Sequence, residues 1–203
     1  MTAAATYRTF EAALADETAT AHLMADLALL IGPGDLVTLT GDLGAGKTAA
    51  ARSMIRYLAA DGELDVPSPT FTLAQSYDLP SFPLVHADLY RINDASELEE
   101  IGLSPLPEAT VVLMEWPERA GTALPPDRID IAFRHDPERG ETARIAAITG
   151  HGKAAAQVAR LDALRQFLAE AGHAESRREP AEALAVRGGC AVAADRHRDG
   201  DQP

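Results

Sequence analysis

The chain has 203 residues, of which 46% are hydrophobic and 24% are charged, so it can form one domain with a sizeable core and an appendage but not two full domains. Its formal net charge of −13 comes from the first 150 residues, since acidic and basic side chains balance in the remainder. An acidic body repels phosphate backbones. We therefore expect no tight, direct binding to nucleic acid.

Cysteine usage and the N-terminal sequence indicate a cytoplasmic protein. Cys190 is the only cysteine, so no internal disulfide is expected. We also expect no signal peptide, since the N-terminal residues do not show a basic region followed by an apolar one. The apolar run at residues 27–31 is too short to span a membrane. We predict a protein of the reducing cytoplasm without a membrane partner.

Taken in chain order, the hydrophobic pattern predicts an α/β fold. Strands are predicted at residues 7–10, 36–40, 83–91 and 110–114, with a late pair at 130–133 and 143–148 and an extended segment at 66–79. Helices are predicted after a cap at Asp16, over 49–60, over 95–101 and over 153–171.

The predicted boundaries divide the chain into three parts. Residues 1–150 form the nucleotide-binding domain, 151–173 a C-terminal helix, and 174–203 a disordered tail. The last prediction depends on the scarcity of large apolar side chains there, which leaves little surface to bury.

Residues 41–48 carry the strongest motif, because GDLGAGKT matches the phosphate-binding pattern G-x-x-x-x-G-K-[ST] in full. The glycines allow backbone N–H groups to converge on phosphate oxygens at the start of a helix. We expect Lys47 to reach the β- and γ-phosphates of ATP and the Thr48 hydroxyl to bind Mg²⁺. The predicted nucleotide-binding residues are Gly41, Asp42, Leu43, Gly44, Ala45, Gly46, Lys47 and Thr48.

Two carboxylates follow predicted strands at the edge where open α/β sheets bind ligands. Glu115 ends the strand that begins at residue 110, and Asp88 ends the strand that begins at 83. We assign Glu115 to Mg²⁺ and Asp88 to the attacking water or to the surroundings of the metal. The sequence leaves open the reverse assignment.

Four neighbouring features have two interpretations each. His86 either forms a metal pair with Asp88 or, as we favour, supports the site by hydrogen bonding. Trp116, the only tryptophan, either stacks on a base or a partner or packs in the core. Arg91 either contacts phosphate or pairs with the acidic helix at 95–101. Residues 68–73 are either a switch segment that orders around γ-phosphate or a simple lead into a strand.

These motifs together resemble the TsaE (YjeE) family of ATPases in tRNA threonylcarbamoyladenosine biosynthesis. GDLGAGKT is followed in order by SPTFTL, HADLYR and MEWPER, and the similarity covers roughly residues 5–150. The resemblance implies a single P-loop NTPase domain with a mixed, mostly parallel sheet flanked by helices. It also implies slow, Mg²⁺-dependent ATP hydrolysis that supports the TsaD–TsaB transferase without transferring the threonylcarbamoyl group itself. Carried over by position, the functional residues are Lys47, Thr48, Thr70, Asp88, Glu115 and Trp116.

The sequence departs from the family pattern at Ala49 and Ala50, which we expect to face the helix packing rather than the phosphates. Two other function classes compete. A small P-loop kinase for a metabolite would need several arginines after the second acidic strand, where only Arg119 and Arg128 occur. A non-catalytic nucleotide-binding adaptor would not need Asp88 and Glu115.

Overall fold

The structure, a computed structural model, describes residues 7–94 and 96–187, with side chains to residue 170. It contains seven strands, four α-helices and one 3₁₀ segment. The strands are β1 (Tyr7–Leu14), β2 (Leu36–Thr40), β3 (Ala74–Asp78), β4 (Pro83–Asp88), β5 (Val111–Glu115), β6 (Arg128–His135) and β7 (Arg144–His151). The helices are α1 (Glu17–Ala28), α2 (Lys47–Ala59), α3 (Glu97–Glu100) and α4 (Ala154–Arg187), and the 3₁₀ segment is Pro117–Ala123.

The strands form one mixed sheet in the order β1-β7-β6-β2-β5-β4-β3. The four central strands, β6, β2, β5 and β4, are mutually parallel, whereas β1 and β7 at one margin and β3 at the other pair antiparallel. The predicted mixed sheet with flanking helices is confirmed. Its parallel part is the centre, which is also the part where ligands bind in such sheets.

Helix α1 begins where the sequence predicts. The side chain of Asp16 accepts a hydrogen bond from the Ala19 backbone N–H at 2.8 Å, which satisfies a donor that the first helical turn leaves unpaired. Leu23, Met24 and Leu27 recur at helical spacing and are fully buried. The helix therefore covers the sheet with one continuous apolar face.

Each face of the sheet has its own core. The larger cluster joins the sheet to α1, α2 and the beginning of α4, and its helical members include Leu27, Met54, Ile55, Val158 and Leu161. The smaller cluster covers the opposite face of β2, β4 and β5 with loop residues such as Leu89, Ile92 and Leu103. Because side chains alternate along β5, Val111 and Leu113 face the first cluster while Val112 and Met114 face the second. Glu115 continues the first set and so faces the side of α2.

The C-terminal part differs from its predicted boundaries. A first compact unit ends at Leu164 rather than at residue 150, because the beginning of α4 contributes buried side chains to the core. A second unit starts at Arg165. Helix α4 continues to Arg187, beyond the predicted end at 173 and into the predicted disordered tail. Alanine, glutamate and arginine favour helix even where no core is available. The scarcity of large apolar side chains, on which the predicted disorder depends, does not take this propensity into account. Residues 188–203, including Cys190, lie outside the described residues.

Within the described residues, no helix is long and apolar enough to cross a membrane.

Candidate nucleotide-binding site

The loop between β2 and α2 has the backbone conformation that its glycines predict. Gly41, Gly44 and Gly46 have φ values of 133°, 79° and 105°, which side-chain-bearing residues rarely adopt. Gly41 also has no room for a side chain, since a Cβ there would lie 2.4 Å from the Phe133 carbonyl oxygen. Helix α2 begins immediately after the loop, so its first unpaired N–H groups border the same space.

Lys47 is folded back onto its own loop. Its Nζ donates to the carbonyl oxygens of Gly41 at 2.7 Å and Asp42 at 2.9 Å, and lies 3.9 Å from the ring centroid of Trp116. Burial lowers the pKa of the Lys47 amine from its ordinary value of 10.5, although nearby carboxylates, Glu115 foremost, oppose the shift. The ammonium is thus largely removed from water and held by weak acceptors that phosphate oxygens can replace.

Glu115 lies at the end of β5 with both carboxylate oxygens engaged. Oε2 accepts the Thr48 hydroxyl at 2.9 Å, and Oε1 lies 2.9 Å from His86 Nε2. Glu115 and His86 are essentially inaccessible to solvent. The structure therefore brings together the two predicted Mg²⁺ ligands, Thr48 and Glu115. His86 bonds to Glu115 rather than pairing with Asp88.

Asp88 lies directly opposite Glu115 in the β4–β5 register. Its Oδ2 accepts the Thr70 hydroxyl at 2.6 Å and its Oδ1 accepts the backbone N–H of Tyr90 at 2.9 Å. The hydroxyls of Thr70 and Ser68 lie 2.8 Å apart. The segment at 68–73 therefore contacts the second acidic residue directly, a contact that both interpretations of the segment allow.

Trp116 packs as the second of its predicted alternatives has it. It packs against the smaller core cluster and also faces the site, where its ring lies 5.1 Å from the ring of Tyr90, measured between centroids. Its backbone is left-handed, with φ of 57°, which is uncommon for a residue with a side chain and concentrates at functional sites. The Arg91 guanidinium lies 5.5 Å from the ring centroid of Phe71, a neighbour that neither of its two predicted interpretations named.

The Thr48 hydroxyl and the Glu115 carboxylate lie side by side, and a hydroxyl with one carboxylate is the kind of ligand set that Mg²⁺ uses beside phosphates. No group of three or more His, Cys, Asp or Glu side chains suited to a metal occurs in the part of the chain that the structure describes. The residues thus fit an ion that keeps several waters and takes its other ligands from a nucleotide.

Two cavities adjoin the loop, and Gly46 and Ala49 line both of them. One has a volume of about 410 Å³ and contains Lys47, Thr48, Thr70, Asp88, Glu115 and Trp116 in its lining. The other has a volume of about 370 Å³ and is lined by residues of α1, β6 and β7, among them Asp16, Phe133 and Arg144. The first cavity gathers the predicted catalytic and metal-binding side chains.

Two residues at the site have no role in the sequence-based predictions, Tyr90 and Arg144. Tyr90 lines the first cavity beside Ser68 of the predicted switch segment, and Arg144 donates from Nε to the Ala45 carbonyl oxygen at 3.3 Å. Ala49 lines both cavities, so its predicted place in the helix packing is wrong, whereas Ala50 is fully buried as expected. The HADLYR motif could have indicated Tyr90, but no local signal marks Arg144.

Comparison with known proteins decides the family. The model of the threonylcarbamoyl adenosine biosynthesis protein TsaE matches residues 14–144, well over half of the chain. The chain belongs to the TsaE family. A TsaE protein of Rickettsia conorii is 37% identical over 118 residues, which cover 58% of this chain and 67% of that protein. A TsaE protein of Streptomyces coelicolor is 39% identical over 135 residues, which cover 63% and 87%.

A solved structure extends the match to the fold. The crystal structure of YdiB from Bacillus subtilis superposes with a TM-score of 0.63 at 25% identity and covers 79% of this chain and 98% of YdiB. The family and the P-loop NTPase fold that the motifs predict are therefore confirmed. The matched region of the TsaE model includes Lys47, Thr48, Asp88, Glu115 and Trp116.

Proposed function

We propose that this TsaE-family chain is an ATPase that binds ATP with Mg²⁺, hydrolyses it slowly, and supports tRNA threonylcarbamoyladenosine formation. The observation that carries the proposal is the convergence of Lys47, Thr48, Asp88 and Glu115 on one cavity beside a phosphate-binding loop. The names of the relatives supply the biosynthetic process. The chain would not transfer the threonylcarbamoyl group itself.

In this proposal the loop N–H groups and the start of α2 bind the phosphates, and the Lys47 ammonium exchanges its carbonyl partners for phosphate oxygens. Thr48 and Glu115 would hold Mg²⁺, which neutralises charge that develops on the transferred phosphoryl group. Asp88 would orient the attacking water, with Thr70 fixing its carboxylate. The adenine base of ATP would lie in the second cavity, because Gly46 and Ala49 line both that cavity and the one that would hold the phosphates.

We further propose that TsaD and TsaB complete the site. Leu43 lines the first cavity and Phe71 follows Thr70, which also lines it; their side chains are 83% and 84% exposed, so a protein docked over this cavity would bury apolar surface there. Of the described residues that line this cavity, Lys47 is the one with a positive charge. Phosphoryl transfer commonly needs a second cation, which a partner can supply. An acidic chain in the cytoplasm would thus act on tRNA modification through proteins.

The kinase alternative gains no support from the geometry. Arg128 is already engaged, because its guanidinium donates to both carboxylate oxygens of Asp130 and to the Pro125 carbonyl. It does not line the first cavity and cannot clamp a transferred phosphate there. A metabolite kinase would need such a clamp.

Phosphate release from ATP tests the proposal. The full chain is assayed with Mg²⁺, alone and with the TsaB–TsaD complex, beside a Lys47→Ala control. We expect slow release alone, faster release with the partners, and none in the control. If the partners neither bind nor change the rate, the proposed role in this pathway is wrong, and retention of activity by the control would place the activity elsewhere.

A further inference from the structure

The hydrogen bond between His86 and Glu115 joins two side chains that solvent does not reach. His86 has no exposed surface and Glu115 has 1% of its surface exposed. Since a carboxylate oxygen only accepts, the contact assigns the donor role to the Nε2–H group of His86, which donates a hydrogen bond to Oε1 at 2.9 Å. The opposite oxygen, Oε2, is the one that meets the Thr48 hydroxyl. The imidazole therefore binds the Glu115 oxygen that is turned away from Thr48, and His86 does not line the cavity.

The other ring nitrogen of His86 argues against a purely structural role. Nδ1 is buried and has no hydrogen-bond partner among the described residues. A buried polar atom without a partner disfavours folding, and an apolar side chain of similar size would avoid this penalty. Packing alone thus gives no reason for a histidine on β4. The bond from Nε2 to Glu115 does give one.

We propose that His86 is a positioning residue that orients Glu115 so that Oε2 faces the ion shared with Thr48. This inference depends on the proposed function, because it assumes that Glu115 and Thr48 bind Mg²⁺ with ATP. Hydrogen-bond partners that orient a metal ligand typically change metal affinity about 10–100-fold when they are removed. His86 itself does not line the cavity and touches neither metal nor nucleotide.

The test separates metal binding from nucleotide binding in the full-length protein. Binding of a fluorescent ATP analogue is measured first in EDTA and then during a Mg²⁺ titration, for the parent chain and for His86→Leu, His86→Gln and His86→Asn. In glutamine the amide nitrogen stands as many bonds from Cα as Nε2 does, whereas in asparagine it stands one bond closer. Glutamine can therefore restore the donor to Glu115, and asparagine cannot.

For His86→Leu and His86→Asn we expect the half-saturating Mg²⁺ concentration to rise about 10–100-fold, with affinity in EDTA changed less than about twofold. His86→Gln should stay within about threefold of the parent chain, by the same donor argument. Leu84→Ala, on the same strand, should lower thermal stability without moving the Mg²⁺ midpoint. It controls for lost packing, because Leu84 is fully buried in the main core.

A Glu115→Gln background tests the route of the effect. If His86 acts through Glu115, adding His86→Leu to Glu115→Gln produces no further shift in the Mg²⁺ midpoint. An additional shift would overturn the inference, as would equal midpoints for the glutamine and asparagine variants. The latter comparison decides the matter even if His86→Leu does not fold. Absence of Mg²⁺-dependent binding in the parent chain would instead refute the proposed function itself.

Discussion

Replacing Thr48 by valine tests whether the Thr48–Glu115 bond is part of the unliganded site. The substitution keeps the shape of the side chain and removes the hydroxyl that Glu115 Oε2 accepts at 2.9 Å. A hydrogen bond to a charged group contributes about 1.5–3 kcal/mol to stability. Glu115 is only 1% exposed, so water does not freely take the place of the lost Thr48 hydroxyl. We therefore expect the free energy of unfolding to fall by about this amount.

The assay is thermal denaturation in EDTA without nucleotide, so that neither metal nor ATP contributes. For a domain of this size a loss of 1 kcal/mol lowers Tm by about 2–4 °C, so Thr48→Val should melt about 3–12 °C below the parent chain. Thr48→Ser, which retains the hydroxyl, is the matched control and should lie much closer to the parent. Equal melting temperatures for the valine variant and the parent would refute the inferred contribution of the bond.

Three further outcomes follow from the site geometry. Gly41→Ala should abolish ATP binding and lower the free energy of unfolding by about 1–3 kcal/mol, because the positive φ disfavours a side chain and the Phe133 carbonyl occupies the place of its Cβ. Gly62→Ala, where a Cβ would meet no neighbouring atom, should have neither effect. Calorimetric titration and thermal melting compare the two variants, and normal binding and stability of Gly41→Ala would contradict the loop geometry. ATP affinity should fall as pH rises toward 10.5, because Lys47 loses its proton below that pH and bound phosphate favours the protonated amine. Nitrogen-15 NMR of the Lys47 side chain, assigned with the help of Lys153→Arg, should show a pKa below 10.5. A pKa at the ordinary value would count against burial of the ammonium. Asp88→Asn should retain ATP binding but lower the single-turnover rate of phosphate release about 10²-fold or more, and an unchanged rate would exclude Asp88 as the residue that activates water.

The linkage sign for Lys47 also predicts how stability varies with pH. The folded chain binds its proton less tightly than the unfolded chain, whose lysine keeps the ordinary value of 10.5. Between the lowered folded pKa and 10.5 the unfolded state therefore binds more protons, and the contribution of Lys47 to the free energy of unfolding rises with pH. The free energy of unfolding should thus rise over the pH range in which ATP affinity falls, so chemical denaturation and ATP titration at the same pH values check each other.

Local features of the sequence predict the strand, loop and helix around residues 41–48, and the structure has β2, the loop and α2 there. These elements are contiguous, so their conformation depends on neighbours only a few residues away. Asp88 and Glu115 were placed at one sheet edge because strands that end in acidic residues and run parallel bring those ends together.

Long-range pairing was beyond the sequence argument. His86 and Glu115 lie on different strands, and only the register of β4 and β5 shows that their side chains meet. Arg144 reaches Ala45 from β7, which no local pattern indicates. The end of α4 was misplaced for a different reason, since apolar content predicts packing and the helix instead follows residue propensity.

Calorimetric titration of the full chain with ATP and Mg²⁺, beside Lys47→Ala, shows whether the loop at 41–48 binds ATP. We expect one ATP per chain in the parent protein and an affinity about 10–150-fold lower in the variant, the loss expected for charge-assisted bonds of about 1.5–3 kcal/mol. An absence of binding in the parent, or equal affinity in the two proteins, would contradict the assignment of this loop as the ATP site.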